Sequence, residues 1–141
     1  MTRLKAAAMV CHGLAIFPMF VGGLVYAIRD SYLSYHAVAT TYTWQELAPG
    51  IQILFQAMLN GAGSLMLLTA LTLILLLVIP FRKNERWCFW AIPLIGISAM
   101  LTTVRSAVLV DLNTPANPPW IWLFIVIALF ISGLFLSYQK E

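Results

Sequence analysis

Apolar residues run along this chain in long unbroken stretches rather than in alternation. Four stretches reach the length of about 20 residues that a membrane-crossing helix needs, at residues 6–28, 51–79, 87–110 and 120–137. The connections between them leave no room for a separate soluble domain, so residues 1–141 read as one four-helix transmembrane domain. Short links between spans favour an up-down-up-down bundle. The pattern therefore predicts an all-α membrane protein.

Polar positions interrupt these stretches in two informative places. Gln52, Gln56, Asn60 and Ser64 recur four apart along the second span, which places them on one face of a helix. Arg105 sits inside the third span, about a turn and a half from its expected outer end at residue 110. An arginine at such a depth costs roughly 2.5–3.5 kcal/mol on insertion scales, so it needs a partner or a route to the headgroups. Side chains on a helix lean toward its N-terminus. Arg105 would lean away from the nearer interface, which favours a partner within the bundle over snorkelling. The expected pocket comprises Arg105, Gln56, Asn60, Tyr26 and Gln52 in the outer half of the bundle. Gln52 has a simpler reading as a wet residue, because the second span exceeds the hydrocarbon thickness and its first turns should protrude. Ser98, Thr102 and Ser106 continue a polar face on the third span, although such hydroxyls often bond their own helix carbonyls.

The longest connection, residues 29–48, carries Tyr32, Tyr35, Ala39 and Tyr42 at helical spacing. The alternation of Val38, Thr40, Tyr42 and Trp44 equally suits an extended segment. Either way it can sit as an aromatic belt at the headgroups or as a lid over the pocket, with His36, Trp44, Glu46 and Asp111 on the rim.

Composition narrows the class. The chain is 62% hydrophobic and 9% charged, against about a quarter charged in soluble domains. Arg3, Lys5, Arg82, Lys83, Arg86 and Lys140 fall on one side of the membrane and Arg29 on the other. The positive-inside rule then places both termini in the cytoplasm, as in a bacterial inner-membrane protein. The net charge of +3 is explained by topology and calls for no nucleic-acid partner. Met1–Lys5 and Val25-Tyr26-Ala27 resemble parts of a signal peptide, but the apolar run between them exceeds a typical signal core, and a retained helix is preferred.

Several chemistries are excluded. Cys11 and Cys88 do not form a Cys-x-x-Cys, and their expected cytoplasmic depth keeps them reduced. His12 and His36 fall at opposite depths, so they cannot ligate one haem. No convergent His, Cys, Asp and Glu set suggests a metal, and no cofactor is expected.

In length and helix count the chain is similar to small bacterial families such as the DoxX-like proteins. That resemblance carries no motif, so it implies an architecture and no function.

Three functions suit these residues. The first is a non-catalytic accessory or assembly subunit of a larger membrane complex or homo-oligomer. The second is a binder or carrier of an amphipathic ligand, a lipid or quinone, in the outward-facing polar pocket. The third is a membrane-embedded lipid-modifying enzyme, which would have to draw its acid or base from His36, Glu46 or Asp111. The first is the leading expectation, because no catalytic motif is present.

Overall fold

The computed structural model describes residues Arg3 to Gln139, and every regular element in it is helical. Helix α1 spans Arg3–Ile28, α2 Ser34–Thr40, α3 Pro49–Val78, α4 Arg86–Asn113 and α5 Trp120–Tyr138, with a 3₁₀ turn at Trp44–Glu46. Four of these, α1, α3, α4 and α5, are long and apolar enough to cross a membrane. The expected spans are recovered to within a few residues. Lys140, counted above among the basic residues, lies outside the described residues.

The helix boundaries have local causes. Pro49 opens α3 at a position where its missing N–H costs nothing. Pro80 ends that helix, and Asn84 closes the following turn in the left-handed conformation (φ 66°). Pro118 and Pro119 hold the chain out of helix until Trp120 starts α5. Pro18 and Pro93 lie inside α1 and α4 without ending them.

Helix α1 packs extensively against α3 and α5, α4 packs against α5 and more sparsely against α3, and α1 barely meets α4. The four long helices thus form a ring in which α1 and α4 are diagonal. Glycines permit the closest pair. A Cβ on Gly63 would lie 2.4 Å from the Ala27 nitrogen, and one on Gly23 would lie 2.6 Å from the Leu67 nitrogen. The backbones of α1 and α3 therefore touch, as small residues allow in membrane bundles. Ala57 and Gly61, small residues of the same helix, face outward instead.

The bundle has two ends of different character. At the end bearing the turn between α3 and α4, Phe81, Phe130, Leu73, Ile92 and Cys88 are fully buried around His12. The His12 ring meets Phe81 edge-on at 5.8 Å and lies 6.0 Å from Phe130. Gly133 and Gly96 make room for these rings, since a Cβ on either would fall within 2.5 Å of the His12 or Phe130 ring. Lys5 reaches across to the Asn84 side chain. The opposite end, under α2, is hollow.

Candidate functional site

The long connection resolves into a short helix. His36 N–H donates to the Leu33 carbonyl at 2.9 Å, and Leu33 N–H donates back to His36 Nδ1 at 3.1 Å. This reciprocal pair fixes the first turn of α2, and Thr41 ends it in the left-handed conformation (φ 60°). Between the helical and extended alternatives, residues 34–40 take the helix. Packing then stacks the aromatic side chains. Tyr35 lies 4.0 Å from the His36 ring, Tyr26 of α1 lies 6.3 Å from it, and the Tyr26 and Tyr35 hydroxyls are 2.7 Å apart. Tyr32, buried, meets Trp44 edge-on at 5.0 Å and reaches the Tyr42 carbonyl. The result is an aromatic layer across the end of the bundle.

Beneath it lie two adjoining cavities of about 340 and 470 Å³. Tyr26, Tyr35 and His36 roof both, and Met66, Met100, Thr103 and Ser106 are common to their walls. The smaller extends toward α5 and is bounded by Trp120, Trp122 and Leu123, while the larger opens between α3 and α4 past Leu59 and Thr69. The walls are mostly apolar. Thr103 donates to the Ala99 carbonyl at 3.1 Å and Ser106 to the Thr102 carbonyl at 3.2 Å, so these hydroxyls turn lone pairs rather than protons to the space.

The electrostatics of the roof keep it neutral. Burial holds His36 below the ordinary histidine range, and the nearby Arg29 charge adds to the effect. Burial and the Tyr26 hydroxyl push the Tyr35 phenol up, so it stays protonated.

The residues expected from sequence divide. Tyr26 lines both cavities, whereas Gln52, Gln56, Asn60 and Arg105 line neither. Gln52 donates to the Trp44 carbonyl at 2.6 Å and braces the 3₁₀ turn. Gln56 reaches Asp30 Oδ1 at 3.4 Å. The Asn60 amide, its nitrogen turned toward the surrounding acceptors, meets the carbonyls of Arg29 at 3.0 Å and of Tyr26 and Gln56 at 3.1 Å. Helix α1 ends at Ile28 and leaves its last carbonyls without intrahelical donors. Asn60 supplies a donor there from the neighbouring helix. Asn60 thus holds the end of α1, while Gln56 and Gln52 tie α3 to the connection that follows α1.

Arg105 is exposed, with no polar partner among the described residues. It lies eight residues before the end of α4 at Asn113, about 12 Å along the axis. Exposed Leu101, Val108, Leu109 and Leu112 surround it at helical spacing.

Among the rim residues, His36 lines both cavities, Trp44 belongs to the aromatic layer, and Glu46 accepts from Thr43 N–H and its hydroxyl at 2.6 and 2.8 Å. Asp111 is exposed on α4. Tyr35, Met66, Met100 and Thr103 line the cavities without having been singled out as pocket residues. For Tyr35 the helical spacing of the loop tyrosines carried the signal. For the others only the packing of four helices does. Among the described residues no three His, Cys, Asp or Glu side chains gather as a metal site.

Neither a protein-family model, a curated protein nor a solved structure matches this chain.

Proposed function

We propose that this protein binds or carries a small amphipathic molecule of the lipid or quinone type in the hollow end of its bundle. One observation carries the reading: a mostly apolar space with a few polar groups gathered at one end, the usual build of a small-molecule site in a helix bundle. In this reading the four long helices span a bacterial inner membrane in up-down order, with both termini and the basic turn at residues 80–86 in the cytoplasm. The cavity then sits in the outer leaflet, where a lipid-soluble molecule can enter between α3 and α4. Of the side chains considered for an acid or base, only His36 borders the space. Binding therefore fits it better than catalysis.

A second reading, an accessory subunit of a larger membrane complex, is favoured by Arg105. A cation on a lipid-facing apolar stripe is costly, and a carboxylate on a partner helix would offset that cost.

Native mass spectrometry of protein extracted gently from its own membrane separates the two. The measurement compares wild type with Ala107→Trp, which fills the smaller cavity, and with Arg105→Ala. Binding predicts a small-molecule adduct that Ala107→Trp removes and Arg105→Ala leaves. The subunit reading predicts a co-purifying protein that Arg105→Ala removes. Absence of any adduct from the wild type would count against the first.

A further inference from the structure

The roof of the cavity holds hydrogen-bond donors that the fold itself does not use. His36 Nδ1 accepts from Leu33 N–H, so the neutral ring carries its proton on Nε2. Nε2 has no hydrogen-bond partner among the described residues. In the Tyr26–Tyr35 pair one hydroxyl donates to the other, and the one that accepts keeps a free O–H. The Tyr35 ring lies 4.0 Å from the His36 ring and the Tyr26 ring 6.3 Å from it, so both hydroxyl bearers flank the imidazole.

Just as informative is what the walls lack. Among the described residues no lysine, arginine, aspartate or glutamate lines either cavity. Arg29 acts on His36 from outside the lining, so an anionic head would meet no cation in direct contact, and a cationic head would meet no anion. A bare hydrocarbon would leave the donors unsatisfied, at a cost comparable to losing hydrogen bonds.

We propose that the cavity takes an apolar chain ending in a neutral carbonyl head, with the carbonyl oxygen accepting from His36 Nε2–H and the free tyrosine hydroxyl. This rests on the binding reading above and specifies its ligand. Quinones and acyl esters share the required chemistry.

The test is equilibrium binding to the full chain in nanodiscs of zwitterionic lipid, with three probes: decylubiquinone, monoolein and palmitate. The variants are His36→Phe, Tyr26→Phe, Tyr35→Phe and, as cavity blocks, Ala107→Trp and Val110→Trp in the smaller space and Ala99→Trp in the larger, each checked for a monodisperse folded state. One of the two neutral probes should bind, and which one does identifies the head as quinone or ester. Palmitate at pH 8 should bind at least about tenfold more weakly. His36→Phe should weaken the neutral probe about tenfold, the equivalent of roughly one hydrogen bond. His36→Gln, which restores a donor, should recover part of the loss. The block in the space that holds the probe should abolish binding.

Palmitate binding as tightly as the neutral probes would overturn the assignment of the head. So would unchanged binding in His36→Phe, Tyr26→Phe and Tyr35→Phe, and in both cases the cavity itself would stand if a block abolishes binding. If no probe binds the wild type, or the blocks leave binding unchanged, the binding reading fails with it.

Discussion

At the turn end of the bundle Phe81 and Phe130 close on His12 until none of the three has exposed surface, whereas at the loop end Met66, Met100 and Thr103 stand around open space. Apolar residues make up most of both ends. What differs is where the small ones lie. Gly96 and Gly133 face rings and let them enter. Under α2, Trp120 and Trp122 border the space without filling it, and the paired Tyr26 and Tyr35 hydroxyls span the gap from above. A bundle whose helices are all apolar gains little from hydrophobicity in lipid and depends on contact. A void in one is therefore a cost that the turn end avoids and the loop end accepts.

The sharpest way to break this contrast lies on α5, which contributes to both ends. Phe130→Ala removes a fully buried ring and should lower unfolding stability in detergent by about 3–5 kcal/mol, the usual range for such cavities. Leu123→Ala on the same helix widens a space that already exists, so its cost should be clearly smaller. Equal losses from the two would mean that the loop end is as tightly packed in the membrane as the turn end.

The second prediction sharpens the description of the solid end. His12 is completely buried, and neither ring nitrogen has a hydrogen-bond partner among the described residues. Each unsatisfied buried group costs about 1–3 kcal/mol, while an apolar replacement of similar shape removes that cost. His12→Leu should therefore raise the unfolding temperature. A drop instead would show that the imidazole makes a bond in the membrane, and the turn end would then hold a polar site of its own.

How much of this was legible beforehand follows the same division. The spans were plain because twenty apolar residues in a row have few other uses, and their ends were marked by Pro49, Pro80 and the Pro118–Pro119 pair. The stripe of Gln52, Gln56 and Asn60 was visible as a stripe. Its role was not, because the acceptors it meets lie on the end of α1, on Asp30 and on the 3₁₀ turn, and spacing within α3 says nothing about what faces it. For Arg105 the sequence shows its depth and its lean toward the helix N-terminus. Depth gives the cost of the charge, but the side on which it points depends on the rotation of α4, which Ala99, Thr103 and Ala107 set by facing inward. The cavity was the least visible feature, being an absence of contact among residues that look like any other core.

The smallest effect belongs to the roof and follows from the His36 proton. The folded state lowers the His36 pKa through burial and the Arg29 charge, so the unfolded lid binds a proton more readily than the folded one. Stability of α2 is then complete above the ordinary histidine value of 6.5 and falls as pH drops below it, through the lower folded value. The structural reason is local. A proton on Nδ1 would set two donors face to face, Nδ1–H and the Leu33 N–H that it now accepts. The groups that surround the ring are Tyr26, Tyr32, Tyr35 and Arg29, and none offers a carboxylate to hold the imidazolium. Amide hydrogen exchange should therefore quicken across residues 34–40 between pH 7 and pH 5, after correction for intrinsic exchange, while α4 and α5 keep their protection. His36→Gln should flatten that response, since it does not titrate. A pH response that survives in His36→Gln would assign the lid's sensitivity to another group and leave the hollow end without the switch that its own capping bond implies.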